Sequence, residues 1–331
     1  MAGSWGATGQ TDRIGNLVFR VGGEGRRVLV HSHADQVSYV VFSIADDGYL
    51  MLDTAQGLRG ETPEKRWQVG QPVLVQRRDG TWCPGVIGGG SGHGSRSSQK
   101  HEPLGWTEFW VDIGATSRTA VDDAGIFIGA AIVFEPRPRL LGERFVSCAV
   151  DDRVGLCVMD ALLRDLDPSR LTCELWFAVT VQEEGGAHGA YALGNTHQFD
   201  EAIGLEVGLV GDVPSVEAAR SWPGRLGGGP MLVHKDSVVT YDRALTGRLF
   251  DAGRDAGVTM QDAAFNHYGS DGMGLIGTGT PAALIAVPTR YTHTAFEMID
   301  LTDVVGTIAL VEAYLTSRGM PSRHAAESVA I

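Results

Sequence analysis

The sequence predicts an α/β protein, a doubly wound, mainly parallel sheet with a small all-β domain inserted into it. After Arg144 the apolar pattern alternates between strand and helix periods, which marks a sheet with helices on both faces. Residues 16–43 already supply three strand candidates. From about 46 to 142 the texture changes to short strand candidates separated by turn-rich stretches. No helical period appears there beyond a possible turn near Ser117–Ala124.

The early strands are Asn16–Val21, Arg27–Ser32 and Val37–Ile44, with Gly22–Gly25 as the first turn. They most simply join the main sheet, which makes 1–45 plus 143–331 one domain and 46–142 the insertion. Within the insertion the strand candidates are Gly48–Asp53, Gln71–Gln76, Trp106–Ile113 and Gly125–Phe134, and the Gly/Ser-rich stretch Gly88–Gln99 reads as a mobile loop. Arg144–Val150 is then a strand. Asp152–Leu166 carries Val154, Cys157, Val158, Ala161 and Leu162 at helical spacing. Thr172–Val181 reads as a strand, Ala187–Asn195 as a helix, and Ala202–Val210 and Pro230–His234 as strands. Asp242–Ala256 is a helix, Ala282–Val287 a strand and Leu301–Ser317 the closing helix. No internal repeat is present.

At 331 residues, 43% hydrophobic and 20% charged, the chain has the make-up of a globular protein with a large core. A net charge of −13 disfavours nucleic acid as a partner and leaves no polybasic patch for a membrane. Cys83, Cys148, Cys157 and Cys173 show no CxxC spacing and read as reduced thiols. No apolar run approaches the roughly 18 residues of a membrane span, and Met1–Gly6 has no apolar signal-peptide region. The expectation is a cytoplasmic protein.

The most informative stretch is Val181-Gln182-Glu183-Glu184-Gly185-Gly186, which follows the apolar run Leu175–Thr180. Buried strands rarely end in two unpaired acids, because desolvating a carboxylate is expensive unless a cation or donor meets it. Adjacent side chains at a strand end diverge, so one acid can hold a cation while its neighbour handles a proton. Four further segments sit at or near strand ends: His31-Ser32-His33-Ala34-Asp35, Ala149-Val150-Asp151-Asp152-Arg153, Leu205-Glu206-Val207 and Arg290-Tyr291-Thr292-His293-Thr294. Singly, each has a plain reading. His33 fits a hydrogen-bonded core histidine, Asp151 and Asp152 a helix cap, and His293 a surface turn. Glu206 is harder to dismiss, because an acid between Leu205 and Val207 needs a partner. Asp35, two residues after His33, fits the carboxylate on which a metal-bound histidine leans. Together these segments offer the imidazole and carboxylate set that suits zinc, cobalt or manganese. A bridging carboxylate with a free Glu nearby forms a two-metal hydrolytic site.

The order His-x-Asp, Val-Asp-Asp-Arg-Val-Gly, Val-Gln-Glu-Glu-Gly, Leu-Glu-Val, Gly-Ser-Asp-Gly and Pro-Thr-Arg-Tyr-Thr-His-Thr resembles the tetrahedral aminopeptidases. These are co-catalytic metallopeptidases that include glutamyl and deblocking aminopeptidases, and some members carry the name cellulase. The resemblance runs from about Asp12 to the C-terminal helix and includes Trp110–Arg118 of the insertion. It implies a zinc-peptidase-like form of the doubly wound sheet. Position by position, it implies that His33, Asp151, Glu184, Glu206 and His293 hold two divalent ions, zinc or cobalt with manganese as an alternative. Asp151 would bridge, Glu183 would be the general base, and Asp35 would orient His33. Asp271, in Tyr268-Gly269-Ser270-Asp271-Gly272, matches a family segment without receiving a role.

The implied substrate is a short peptide cleaved at its N-terminus, and the implied partner is a second copy of the chain, in assemblies from dimer to dodecamer with the insertion building subunit contacts and narrowing access. Three departures bear on this. Met1–Gln10 is too short for the family's N-terminal helical segment, which points to a smaller assembly. His-Met-Asp-Glu becomes His33-Ala34-Asp35-Gln36, and Thr294-Ala295-Phe296-Glu297 replaces a segment with Pro and a small aliphatic residue. None touches an implied ligand. They motivate a second reading, the same metal chemistry on a small amide or aromatic amine. A third reading, a non-catalytic binding protein on the same fold, is opposed by the complete ligand set and by Glu183. A sugar-cleaving activity lacks its pair of flanking carboxylates.

Overall fold

The computed structural model describes residues 9–55, 68–90, 108–214, 222 and 224–317. The chain begins with β1 (Gln10–Thr11), β2 (Leu17–Gly22) and β3 (Arg27–His33). It then enters β4 (Tyr39–Ile44), β5 (Leu50–Thr54), β6 (Pro72–Gln76), β7 (Trp82–Gly89), β8 (Phe109–Asp112), helix α1 (Arg118–Asp123) and β9 (Ala131–Phe134). After β10 (Arg139–Leu141) and β11 (Arg144–Ser147) come α2 (Val150–Asp165), β12 (Glu174–Thr180), α3 (His188–Thr196) and β13 (Glu201–Leu209). The chain continues through β14 (Met231–Lys235), α4 (Arg243–Asp255), β15 (Gln261–Ala264), α5 (Gly272–Gly277), β16 (Ala282–Arg290), β17 (Glu297–Asp300) and α6 (Leu301–Thr316).

The main sheet runs β1-β2-β12-β3-β13-β16-β17-β11-β10, with β14 and β15 branching from β16. Along that path only the centre, β12-β3-β13-β16, is a run of parallel neighbours, and on the branch β15 also pairs parallel to β14. The flanks pair antiparallel, so the sheet is mixed, which corrects the expectation of a mainly parallel one. The central strands read clearly because they are buried on both faces: β13 exposes nothing before Leu209, and β3 is buried from Val28 to His33. The edge strands lack that signature, and Arg139–Leu141 is exposed throughout.

Two apolar layers sandwich the sheet. On one face Val158, Leu162, Leu245, Leu249, Leu310 and Val311 from α2, α4 and α6 pack on Val28, Val30, Leu175 and Phe177. On the other, Ala187, Ala190, Leu193 and Leu275, from α3 with its N-cap residue and from α5, meet Leu29, Ala178 and Ala202. Helix starts follow the sequence. Asp242 caps α4 by accepting from Leu245 N at 2.7 Å, and Asp300 caps α6 by accepting from Thr302 N at 3.0 Å. Phe177, fully buried, meets Phe19 edge to face at 5.9 Å between ring centres. Phe177→Ala is expected to destabilise the protein by about 3–5 kcal/mol in denaturant unfolding. A loss below about 1 kcal/mol would contradict this packing.

The inserted unit is a closed six-stranded barrel, β4-β5-β8-β7-β6-β9. Strand Tyr39–Ile44 belongs to this barrel and not to the main sheet, while Arg139–Leu141 belongs to the sheet. The barrel strands thus span Tyr39 to Phe134. The burial of β4 explains the difference: Tyr39, Val41 and Ile44 point inward while Phe42 is 60% exposed. That half-buried alternation suits a barrel wall, whereas a central parallel strand is covered on both faces. Of the expected Gly88–Gln99 loop, Gly88 and Gly89 end β7, and 91–99 lie outside the described residues. The expected strands at 144–150 and 125–134 shorten to β11 and β9, while β1, β7, β10, β15, β17 and α5 have no counterpart among the expected elements.

Candidate metal centre

Strand register builds the site. Thr180 pairs with His33, and Gly204 pairs with His31. Two residues further along each strand, His33 and Glu206 stand side by side at the carboxyl edge of the parallel core, where functional groups of such sheets gather. His33 Nε2 lies 3.4 Å from Glu206 Oε2 and 3.1 Å from Asp151 Oδ1. Asp151 is in the first turn of α2, reached through the antiparallel strand β11 and not from a parallel strand end. Its second oxygen lies 3.3 Å from Nε2 of His293, which sits in the turn between β16 and β17. His293 Nε2 is also 3.5 Å from Glu184 Oε2. The five expected ligands therefore form one chain of contacts, with Asp151 in the middle and His293 at a 58% exposed mouth.

Asp35 does more than support a histidine. His33 Nδ1 meets the Asp35 main-chain oxygen at 3.1 Å, closer than the Asp35 carboxylate at 3.6 Å. That carboxylate instead accepts the main-chain N–H of Glu183 at 3.1 Å and of Glu184 at 3.3 Å. One residue thus fixes the ring of His33 and the turn that carries both glutamates. Burial raises the Asp35 carboxyl, but the His33 ring and the two N–H groups prevail and hold it below the usual range.

The acids crowd one another. Burial, with Glu206 adding, pushes the Glu183 carboxyl up to about 10. Burial followed by Asp151 lifts Glu184 to about 7. Burial lifts Glu206 to about 7 although His33 opposes it. Asp151 is the exception. Burial raises it, but hydrogen bonds from His293 and His33 outweigh that and hold it well below the usual carboxylate range. For His33, burial pulls the imidazole down while Glu206 and Asp151 drive it well above the usual value. Desolvation lowers His293 and the Asp151 hydrogen bond lifts it to about 9, an effect that solvent at its exposed edge screens.

Sequence reasoning left several neighbours without a role. Asp152 is fully buried, and its carboxylate accepts from Ser32 Oγ at 2.5 Å and from Gly155 N at 3.2 Å. Tyr268 donates to the Val207 carbonyl at 2.7 Å and lies within electrostatic reach of Glu206. Asp271 accepts from Thr180 Oγ1 and lies 3.8 Å from His31 Nδ1, both side chains being buried. The buried context of Asp152 and Asp271 depends on the tertiary fold; the acid in each short motif was visible, its surroundings were not.

The donor set fits divalent cations. Ligand-capable atoms of His33, Asp151 and Glu184 lie within 4.8 Å of one another, and so do those of His33, Asp152 and Glu206. Glu184 Oε1 is buried with no hydrogen-bond partner among the described residues. Several carboxylates facing two imidazoles at this separation carry an excess of negative charge that positive ions relieve.

Comparison with known proteins accords with this geometry. The model of the M42 glutamyl aminopeptidase family matches residues 15–310. The lysyl aminopeptidase of Pyrococcus furiosus is 28% identical over 313 residues, covering 92% of this chain and 85% of its own. The TET aminopeptidase of the marine sediment archaeon Thaumarchaeota archaeon SCGC AB-539-E09 superposes with a TM-score of 0.88 at 26% identity, over 97% of this chain and 89% of its own. The TET1 peptidase of Pyrococcus horikoshii, described as assembling into a tetrahedron or a large octahedral shell, superposes with a TM-score of 0.82 at 25% identity, over 94% and 90% of the two chains. With its mixed sheet, inserted barrel and cluster of histidines and carboxylates, the chain belongs to the M42 glutamyl aminopeptidase family and is a metal-dependent aminopeptidase.

Proposed function

We propose that the protein removes N-terminal residues from short peptides with two divalent ions, zinc or cobalt, held by His33, Asp151, Glu184, Glu206 and His293. The observation that carries this is Asp151, whose two oxygens face His33 at 3.1 Å and His293 at 3.3 Å. When bound, such ions polarise the scissile carbonyl and lower the pKa of a water from 15.7 towards ~7.

The proton work falls to Glu183, whose main-chain N–H is fixed by Asp35 and whose carboxyl, pushed up by burial and by Glu206 when no metal is bound, would be ionised once bound cations offset that crowding. It takes a proton from the attacking water and delivers it to the leaving amine. Asp35 keeps Glu183 and Glu184 in register with His33, so the proton carrier and the ligand beside it do not drift apart. The parallel core with its ligands at the carboxyl edge is read as a zinc-peptidase-like arrangement.

Assembly and location belong to the same reading. The barrel insertion supplies contacts between copies and narrows the approach to the site, in a homo-oligomer. Light scattering should report a particle of at least twice 35.3 kDa, and a stable monomer at micromolar concentration would contradict it. Four free cysteines, three of them buried, fit the reducing cytoplasm. Among the described residues, no helix is long and apolar enough to cross a membrane.

The substrate reading is tested with a panel of aminoacyl-p-nitroanilides, their N-acetylated forms, small amides and aromatic amines. Hydrolysis of the free-amine anilides only is the expected result. Turnover confined to small amides or aromatic amines would transfer the same site to a non-peptide C–N bond.

A further inference from the structure

Glu297 opens β17 four residues after His293 and is 1% exposed. Its carboxylate accepts three main-chain N–H groups. Oε2 receives Val150 N at 2.7 Å and Asp151 N at 3.1 Å, and Oε1 receives His293 N at 2.7 Å. A buried carboxylate is expensive unless donors meet it. Here the donors belong to two segments distant in sequence, the start of α2 and the turn after β16. The same segments meet again through their side chains, where Asp151 Oδ2 faces His293 Nε2 at 3.3 Å.

Glu297, Asp151 and His293 therefore close a ring, with main-chain bonds below and the carboxylate–imidazole contact above. The backbone supports this view. Ala149, just before Val150, has φ 55°, and Tyr291 and His293 both have φ 63°. Non-glycine residues persist in that left-handed region where their surroundings over-determine them. Glu297 bonds on both sides of the ring. The β17 ladder does not need this side chain, because its pairing with β11 and β16 is made by main-chain groups.

We propose that Glu297 is a positioning residue of the metal centre. It fixes the separation of Asp151 and His293 and so sets the affinity for the ion held by Asp151, Glu184 and His293. This rests on the ligand assignment proposed above. Gln at this position keeps one acceptor oxygen but turns an NH2 group towards main-chain donors, so one side of the ring opens without loss of volume.

The test uses the full chain stripped with EDTA, with Glu297→Gln, Glu297→Ala, His293→Ala and the Glu297→Gln/His293→Ala pair. Stepwise zinc binding is measured by calorimetry where circular dichroism shows each protein folded, together with kcat and KM. In Glu297→Gln, one binding step should weaken by about 10–100-fold and kcat should fall with little change in KM. The double variant should bind within about twofold of His293→Ala alone, because both changes break the same ring.

Zinc affinities in Glu297→Gln within about twofold of the starting protein in both steps, whatever happens to Tm, would overturn the proposal, as would additive losses in the double variant. If Glu297→Ala does not fold, the isosteric Gln variant decides. If neither folds, the proposal is also overturned, since the carboxylate then serves the fold itself. A starting protein that binds no zinc would instead overturn the ligand assignment.

Discussion

Glu183→Gln should lower kcat on an aminoacyl anilide by about 10²–10⁴ while leaving metal binding almost intact. Glu183 is not in the contact chain that joins His33, Asp151, Glu184, Glu206 and His293, so its loss removes a proton carrier and no ligand. The amide keeps the volume of the acid, and the Asp35 bond to the Glu183 main chain is untouched. Metal content after dialysis should therefore match that of the unmodified protein. A variant retaining near-normal kcat would remove Glu183 from the proton path.

Asp151→Asn should show the opposite order, with metal lost first and activity with it. One oxygen of Asp151 faces His33 and the other faces His293, and both rings hold the carboxylate well below its usual pKa. An amide removes the charge and one acceptor together. Outer partners of metal ligands are worth about 10–100-fold in affinity, so removing the central anion should exceed about 100-fold. Calorimetry of the stripped variant measures this directly. Two equivalents bound at unaltered affinity would mean that Asp151 does not bridge.

The contrast between these variants shows what the sequence could reveal. Glu183 and Glu184 announced themselves because two acids follow a run as apolar as Leu175–Thr180, and burial there demands a partner. Glu206 was legible for the same reason, lying between Leu205 and Val207 in a strand covered on both faces. Helix α2 was legible from the spacing of Val154, Cys157, Val158, Ala161 and Leu162, and α4 and α6 lie within the expected spans 242–256 and 301–317. Strand Tyr39–Ile44 was misplaced because connectivity does not say which sheet a short strand joins. Its exposed Phe42 became evidence only once burial was known.

Glu297 was visible merely as the last residue of the segment Thr294-Ala295-Phe296-Glu297 after His293. Two of its three hydrogen bonds reach Val150 and Asp151 across almost half the chain, a juxtaposition that no local spacing encodes. The use of Asp35 was half legible. Proximity to His33 was implied by two residues of separation, whereas its grip on the Glu183–Glu184 turn required the parallel pairing of β3 with β12.

The central claim, a two-ion hydrolytic centre built from the five ligands, is tested most directly by titrating the EDTA-stripped chain with zinc or cobalt. Bound metal and hydrolysis of an aminoacyl-p-nitroanilide are followed in the same samples. The expected result is saturation at two equivalents per chain, with activity absent from the stripped protein and restored as the sites fill. Saturation below one equivalent, or full activity in the stripped protein, would contradict the account.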